Sequence, residues 1–328
     1  MLYIVHNNEP AIKKKILGEA NKMTHSKLNK EEKETELYTN KVEVLLESLP
    51  YIKEYSDRIV VVKIGGSMME NDSVIQSVLN DLILMKYVGI KVVLIHGGGK
   101  QISGMLSEKG IKSEFVDGLR VTDSDSMEIV KMVLIGNINT KIVSFLNKHG
   151  SIAIGASGND ASFIKCHKKE YKKNGKDIDL GLVGEIDSIN SGFLNDILDN
   201  GYIPVIATLG VDDEGNIYNI NADTCAAEIA VSLNAKKMVL LTDVDGIMGK
   251  SSKGNELISI LTVDQCIKLL ESGKINSGMI PKVIACIAAL KSGAERTHIL
   301  NGIKKHSILV EIFTDAGIGT MITSKEAE

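Results

Sequence analysis

The feature that most constrains the fold of this chain is a series of short segments that are apolar at almost every position. Ile59–Ile64 is interrupted only by Lys63 and leads into Gly65-Gly66-Ser67, while Val92–Ile95 leads into His96-Gly97-Gly98-Gly99. Strands without polar alternation are buried on both faces, which is typical of a parallel sheet covered by helices on both sides. The pattern therefore predicts an α/β fold with a mainly parallel open sheet.

Amphipathic segments separate the strands. A helix is predicted from about Asp72 to Val88, because apolar residues recur there at helical spacing. Asn174-Gly175 is a hairpin turn signal and predicts an antiparallel insert between Ile164 and Ile186. Later strands are predicted at Ile152–Ile154, Tyr202–Ala207, Met238–Thr242 and His298–Leu300.

The N-terminal region has a different composition. Residues 1–39 are polar and without period, and we interpret them as a disordered tail. Residues 40–56 are predicted to form an N-terminal helix that is interrupted by Pro50. A chain of 328 residues favours two lobes, which we place at residues 57–235 and 236–328. The apolar stripe of the helix consists of Val42, Leu45, Leu46, Leu49 and Ile52.

Composition argues against several function classes. The net charge of −4 offers no basic surface that would attract nucleic acid. The four cysteines lie 20 or more residues apart without a CxxC pair, which argues against a zinc site or a disulfide framework. No run approaches the roughly 18 apolar residues that span a bilayer. We therefore expect a cytoplasmic protein that binds neither nucleic acid nor membrane.

Three strand ends are candidate ligand sites, because ligands of open α/β sheets bind beyond the carboxyl ends of the strands. Lys63–Ser67 and His96–Gly99 are glycine-rich, and Thr242–Gly246 is acidic. Glycine lets the backbone approach a ligand, and the N–H groups at a helix N-terminus favour an anion. The alternative is that these glycines only form tight turns.

Two lysines stand where a cation is unexpected. Lys63 lies inside an apolar strand, and Lys282 lies at the start of an apolar helix, where the helix dipole disfavours a positive charge. Both positions favour a bound anion, although Lys63 at a sheet edge or Lys282 on the surface would need none. Asn219 and Asp223 precede or begin another helix, where they either cap it or point into a cleft.

Motifs of other nucleotide-binding and hydrolytic classes fail. A Walker A loop ending at Gly249-Lys250-Ser251 requires glycine at position 244, which is Val244. A GxGxxG dinucleotide fingerprint is absent, and HGGG occurs without the GxSxG elbow of esterases. A nucleotide-cofactor oxidoreductase remains a weak alternative.

Seven segments together resemble the amino acid kinase family, and within it the arginine-inhibited branch whose acceptor is N-acetyl-L-glutamate. The similarity runs from about Asn40 to Ile322. The segments are KIGGS (63–67), VLIHGGG (93–99), DGLRVTD (117–123), YNINADTCAAEIA (218–230), LLTDVDGI (240–247), SGMIPK (277–282) and EIFTDAGIGTMI (311–322).

The resemblance implies a three-layer αβα sandwich in which residues 57–235 bind the acceptor and residues 236–328 bind ATP with Mg²⁺. It implies that Lys63 and Lys282 stabilise the transferring phosphoryl group and that Asp223 positions them. A carboxylate nucleophile is already ionised at pH 7, so no general base is required. The implied acceptor residues are Gly98, Gly99, Arg120 and Asn219, and the implied ATP residues are Gly65, Gly66, Asp243 and Gly278.

The same resemblance implies regulation. The N-terminal helix is expected to interlace dimers into a hexamer, and arginine is expected to bind between this helix and residues 306–319. The alternative is that the helix packs only on its own subunit. The candidate arginine residues are Tyr51, His306, Glu311 and Gly317.

One residue departs from the family pattern, because Lys100 stands where the family usually has proline after HGGG. The alternatives that remain open are a kinase acting on aspartate, glutamate, carbamate or a nucleoside monophosphate, and an arginine sensor without activity.

Overall fold

The computed structural model describes residues 35–65, 68–251, 254–315 and 317–324. The chain divides into two units, Met1–Pro50 and Tyr51–Glu328. The predicted polar tail lies outside the described residues as far as residue 34. The predicted N-terminal helix is already formed at residue 35 and continues to residue 47, because Leu37 and Tyr38 extend the apolar stripe. A break at Ser48 separates it from α1 (Leu49–Tyr55), two residues before Pro50.

The remaining helices lie in the second unit. A short 3₁₀ helix at Met68–Glu70 precedes α2, and a π-helical stretch at Met132–Asn139 joins α4 to α5 without a break. The helices are α2 (Asp72–Tyr87), α3 (Gly99–Glu108), α4 (Ser124–Lys131), α5 (Thr140–Asn147), α6 (Ser191–Asp199), α7 (Ala222–Ser232), α8 (Val263–Glu271), α9 (Ile280–Lys291) and α10 (Ser307–Phe313).

Helices separate many of the strands along the chain. They are β1 (Ile59–Ile64), β2 (Lys91–His96), β3 (Phe115–Val116), β4 (Leu119–Arg120), β5 (Ala153–Ser157), β6 (Ile164–Lys168), β7 (Lys172–Lys173), β8 (Lys176–Asp177), β9 (Gly184–Ile189), β10 (Ile203–Ala207), β11 (Leu209–Val211), β12 (Ile217–Asn219), β13 (Lys237–Thr242), β14 (Met248–Ser251), β15 (Gly254–Leu257), β16 (Ile260–Thr262), β17 (Arg296–Asn301) and β18 (Thr320–Thr323).

Eight strands form the main sheet in the order β16-β18-β17-β13-β1-β2-β10-β5. All neighbouring pairs are parallel except β17 and β18. The predicted mainly parallel sheet is therefore confirmed, with β1 near its centre. A second sheet has the order β12-β11-β6-β9. The predicted hairpin is also present, because β7 pairs antiparallel with β8 and both turn residues, Asn174 and Gly175, have positive φ.

The two faces of the main sheet bury two separate cores. Along β1, Val61 packs into one core and Val60 and Val62 pack into the other, as the two-residue period of a strand requires. Helices α6 to α9 contribute to the first core, and α2, α3, α4, α5 and α10 contribute to the second. The second unit is thus an αβα sandwich, in which apolar strands are explained by burial on both faces.

The continuous helix Ser124–Asn147 is long and apolar enough to cross a membrane by length and composition alone. However, 44% of the most apolar 18-residue stretch of this helix is buried inside the protein. Buried Leu134 and Ile142 contribute to the second core. Packing on the sheet accounts for the buried part of this apolar helix, while Met132 and Ile135 remain exposed.

The four cysteines are free and buried. Cys166 lies on β6, Cys225 on α7, Cys266 on α8 and Cys286 on α9. Burial raises the pKa of Cys166, Cys225 and Cys286 to about 12 and that of Cys266 to about 11. The expectation that the chain has no disulfide framework agrees with these four free thiols.

Candidate active site

One buried carboxylate holds two lysines that are far apart in the sequence. Asp223 Oδ1 lies 2.7 Å from Lys63 Nζ, and Asp223 Oδ2 lies 2.9 Å from Lys282 Nζ. The side chains of Lys63 and Asp223 are each 7% exposed, and that of Lys282 is 16% exposed. Two positive charges therefore share one negative charge at the carboxyl end of β1.

The electrostatics of this group keep Asp223 ionised. Burial alone would raise the pKa of Asp223, but the charges and hydrogen bonds of Lys63 and Lys282 outweigh it and lower that pKa to about 2. Burial lowers the pKa of Lys63, although the charge of Asp223 opposes the change. An additional anion near Lys63 would compensate the second positive charge and raise the pKa of this lysine.

Local sequence explains how the three side chains converge. Asn221 is the N-cap of α7 and accepts hydrogen bonds from the backbone N–H groups of Asp223 and Thr224. Asp223 thus lies in the first turn of α7, where the helix dipole stabilises a carboxylate. Lys282 lies in the first turn of α9 beside Pro281. Asp223, expected either to cap this helix or to point into a cleft, faces the two lysines, and the neighbouring Asn221 is the cap.

A cavity of about 470 Å³ opens on one side of the lysines. Its lining includes Lys63, Gly65, Asp243, Gly278 and Lys282. Gly66, the other residue expected near the nucleotide, lies outside the described residues. The cavity is therefore bounded by the ends of β1 and β13 and by the start of α9.

A second cavity of about 180 Å³ opens on the other side, and Lys63 lines both. Its lining includes Gly98, Gly99, Arg120 and Asn219. A Cβ at Gly99 would meet no atom within 4 Å, so the backbone there is accessible from the cavity. Asn219 donates to the Thr122 hydroxyl at 3.4 Å. All four residues expected to bind the acceptor are thus brought together.

Arg120 is the charged group of the second cavity. It is 6% exposed, and its Nη atoms donate to Ser113 Oγ, Ser103 Oγ and Gly99 O at 2.7–2.8 Å. Its guanidinium also lies 4.6 Å from the centre of the Phe115 ring. No carboxylate forms an ion pair with Arg120 among the described residues. A buried, unneutralised guanidinium favours binding of an anion.

Lys100, the residue that departs from the family pattern, forms an ion pair at the surface. Its Nζ lies 2.7 Å from Glu70 Oε2, and both side chains are about half exposed. The pair links the segment that follows β1 to the start of α3. The extra cation is thus neutralised by an acid at the surface.

A third cavity of about 520 Å³ lies beside α1 and α10 in the second unit. Three of the residues expected for arginine, Tyr51, Glu311 and Gly317, are among its lining residues. The Tyr51 hydroxyl donates to Asp315 at 2.6 Å. The fourth, His306, lies elsewhere: its Nδ1 is 2.6 Å from Asp81 Oδ1 on α2.

Sequence reasoning missed the histidine and lysine of this third cavity. His298 lies on β17, Lys237 is the first residue of β13, and the two residues are 1% and 3% exposed. His298 Nδ1 lies 2.7 Å from Glu311 Oε1, and burial lowers the pKa of His298 to about 4. Burial lowers the pKa of Lys237 to about 8. The signal that identified Lys63 is absent at both, because β17 has the sequence RTHILN and Lys237 follows another lysine at the start of β13.

Comparison with known proteins identifies relatives over most of the chain. A sequence model of the amino acid kinase family matches residues 58–301. The chain is 48% identical to an acetylglutamate kinase from Carboxydothermus hydrogenoformans, over 88% of this chain and 99% of that protein. It is 47% identical to an acetylglutamate kinase from Methanothrix thermoacetophila, over 87% of this chain and 99% of that protein.

Solved structures with a similar fold include an N-acetylglutamate synthase and a carbamate kinase. The synthase from Neisseria gonorrhoeae, complexed with coenzyme A and N-acetyl-glutamate, gives a TM-score of 0.77 at 29% identity over 88% of this chain. This chain spans 64% of the synthase chain. Carbamate kinase from Giardia lamblia bound to AMP-PNP, at 16% identity over 82% of this chain and 99% of its own, gives a TM-score of 0.58 and supports the fold alone.

Replacement of Asp223 by asparagine is expected to destabilise the fold. The change removes the carboxylate charge and leaves the buried Lys63 ammonium without its counter-ion. Breaking a buried ion pair on one side costs about 3–5 kcal/mol. The free energy of unfolding in urea measures this loss. The control is Asp199→Asn, whose carboxylate is exposed and pairs with Lys91, and a much smaller change is expected there. Equal stability of the two variants would contradict the buried-pair interpretation.

Proposed function

The chain belongs to the amino acid kinase family, and we propose that it transfers the γ-phosphoryl group of ATP to the side-chain carboxylate of N-acetyl-L-glutamate. The products are N-acetyl-L-glutamyl 5-phosphate and ADP, in a step of arginine biosynthesis. The observation that carries this proposal is that Lys63 lines both cavities. The nucleotide and acceptor sites thus meet at the two lysines held by Asp223.

The arrangement suits phosphoryl transfer to a carboxylate. An oxygen of the acceptor carboxylate forms a bond to the γ-phosphorus, and the bond from that phosphorus to the bridging oxygen of ADP breaks. Negative charge spreads over the phosphoryl oxygens during this exchange, so positioned cations stabilise the transition state. We assign that role to Lys63 and Lys282. Asp223 stays anionic and fixes the position of both ammonium groups.

The acceptor cavity fits a small amino acid derivative. The unneutralised guanidinium of Arg120 is placed to bind the α-carboxylate, while Asn219 and the backbone of Gly98 and Gly99 provide polar contacts. The side-chain carboxylate would then face Lys63. The curated relatives, which are named acetylglutamate kinases at 47–48% identity, support N-acetyl-L-glutamate over the other acidic acceptors.

The nucleotide cavity is assigned to ATP, lined by Gly65, Asp243 and Gly278. Among the described residues no group of three or more His, Cys, Asp or Glu side chains is arranged to hold a metal ion. The Asp223 carboxylate is occupied by two lysines. We therefore propose that Mg²⁺ is bound mainly by the ATP phosphates, where it neutralises part of their charge. In this proposal residues 57–235 form the acceptor lobe and residues 236–328 the ATP lobe of a cytoplasmic enzyme.

A homohexamer built as a trimer of dimers is proposed on two exposed apolar surfaces. The first is the stripe of the N-terminal helix, including Leu45, Leu46 and Leu49, which are 52–66% exposed. The second lies at the edge of the main sheet, where β5 has one neighbour and Met132, Ile135 and Ile154 are 38–55% exposed. Unpaired edge strands and contiguous exposed apolar residues favour association with another chain.

Arginine is proposed to inhibit the enzyme from the third cavity. Glu311 and Asp315 complement a guanidinium group, and Lys237 complements a carboxylate. An N-acetylglutamate synthase structure that is 28% identical to this chain, with a TM-score of 0.73, is complexed with L-arginine. The Asp81–His306 pair connects α2 to the residue that precedes α10. Arginine would act by favouring one arrangement of α10 over another.

Turnover with a panel of acceptors tests the function. We expect ADP release with N-acetyl-L-glutamate and far less with aspartate, glutamate or carbamate.

Lys282→Ala should lower kcat by roughly 100-fold or more with a smaller change in the KM of ATP, because the charge of Lys282 acts on the transferring phosphoryl group. A coupled ADP assay measures both. Preference for another acceptor would refute the proposed substrate, and a near-normal kcat would remove Lys282 from the mechanism.

Arg120→Lys tests the acceptor site. The variant keeps the positive charge but loses the planar two-pronged geometry that binds a carboxylate bidentately. The KM of N-acetyl-L-glutamate should rise about tenfold or more, since a charge-assisted hydrogen bond contributes about 1.5–3 kcal/mol. The KM of ATP, measured in the same assay, should stay nearly unchanged. A rise in the KM of ATP alone would reverse the assignment of the two cavities.

The exposed stripe of the N-terminal helix gives a test of assembly and inhibition. Leu45→Glu combined with Leu46→Glu should convert hexamers to dimers, because charge would be buried in an apolar contact. We expect weaker arginine inhibition and unchanged kcat. Val44→Glu is the matched control, since Val44 is exposed on the opposite side of the same helix. Sedimentation velocity and inhibition curves measure the outcome, and a double variant that stays hexameric and arginine-sensitive would exclude this helix from both roles.

A further inference from the structure

The helix Ser124–Asn147 changes its hydrogen-bonding pattern in the middle. Residues Met132–Asn139 form a π-helix of eight residues between two α-helical segments. π-Helical stretches are rare in proteins. Those that occur often lie at functional sites, because the additional residue per turn redirects side chains. Here the π-helical residues Leu134, Ile138 and Asn139 are buried.

Two of these side chains, Leu134 and Ile138, pack against Gly98 in the loop that follows β2. A Cβ at Gly98 would lie 2.7 Å from Ile138 Cδ1 and 2.9 Å from Leu134 Cδ2. A larger residue at position 98 would require these two side-chain ends to shift, so glycine allows the close packing. Since Gly98 lies in the loop assigned to the acceptor, the π-helix packs directly against that loop.

Asn139 provides a polar contact in the same region. Its Nδ2 donates to Val205 O on β10 at 2.8 Å and lies 3.1 Å from His96 Nε2 at the end of β2. The contact with a carbonyl oxygen identifies this atom as the amide nitrogen. The close approach requires a small neighbour on β5, because a Cβ at Gly155 would overlap Asn139 Oδ1.

The contact determines the tautomer of His96. This imidazole is fully buried, and burial lowers its pKa to about 4, so it is neutral at pH 7. An amide nitrogen can only donate, so Nε2 must accept and the proton must lie on Nδ1. Nδ1 lies 3.3 Å from Gly97 O, the first carbonyl of the acceptor loop. Asn139, His96 and Gly97 thus form a directed chain of hydrogen bonds.

We propose that Asn139 is a positioning residue for the acceptor: through His96 it orients the Gly97 carbonyl and hence the backbone of Gly98 and Gly99. The inference rests on the proposed function, because it takes this loop as the acceptor site. The competing interpretation is that Asn139 only satisfies a buried carbonyl on β10. The two differ in what they predict for substrate binding, since a structural role would not distinguish acceptor from nucleotide.

Asn147 offers a matched control on the same helix. Its side chain makes two hydrogen bonds with the backbone of Ala153 on β5, at 2.8 and 3.1 Å. It does not contact His96. Asn139→Leu and Asn147→Leu each replace an amide by an apolar group of similar size, and each removes two hydrogen bonds between this helix and the main sheet.

The experiment compares steady-state kinetics of the two variants in the full-length protein. For Asn139→Leu we expect the KM of N-acetyl-L-glutamate to rise about tenfold, a change that corresponds to about 1.4 kcal/mol, with the KM of ATP changing less than about twofold. For Asn147→Leu we expect both constants to stay near wild type even where its melting temperature falls. Equal effects on both substrates, or equal effects of the two variants, would overturn the inference.

A second measurement needs no variant at Asn139. Imidazole ¹⁵N chemical shifts of the wild-type protein, with the His96 signal assigned by its loss in His96→Gln, report the tautomer. The Nδ1–H form supports the proposed chain of hydrogen bonds, and the Nε2–H form overturns it. If wild type turns over another acceptor of the panel, the proposed substrate fails, yet the same kinetic comparison with that acceptor still tests Asn139.

Discussion

The site depends on one carboxylate that neutralises only half of the positive charge around it. Asp223 binds Lys63 through one oxygen and Lys282 through the other. Because β1, α7 and α9 each contribute one member, the group connects the centre of the sheet to two helices of the same layer. One unit of positive charge therefore remains uncompensated where the two cavities meet, and such a buried charge favours an anion.

Two lysines and two histidines are buried along the strands of the main sheet. Lys63 and His96 lie near the carboxyl ends of β1 and β2, where loops of glycine leave room for a ligand. Lys237 and His298 lie on β13 and β17 beside a different cavity. Burial makes each of these side chains energetically costly unless a partner compensates it. Asp223, Asn139 and Glu311 supply partners within the protein for Lys63, His96 and His298.

Much of the fold and of the central site could be predicted, because local sequence patterns indicate the strands, the helices and the turns, and because a residue that interrupts such a pattern indicates a site. Lys63 interrupts an apolar strand, and Asn174-Gly175 specifies a hairpin. Long-range geometry could not be predicted in the same way. His306 adopts a left-handed backbone conformation with φ of 58° and pairs with Asp81, 225 residues away. The π-helix leaves no periodic trace that would distinguish Asn139 from the other asparagines of its helix.

The reactivity of the four buried thiols can report local unfolding of this protein. With a pKa of about 12, a thiol is ionised to roughly one part in 10⁵ at pH 7, and the thiolate is the reactive form. Alkylation of native protein must therefore wait until a cysteine is transiently exposed to solvent. Cys166 belongs to the second sheet, whereas Cys225 and Cys286 lie on the helices that carry Asp223 and Lys282. The alkylation rate of each cysteine, measured with and without substrate, would therefore report how often its region opens to solvent.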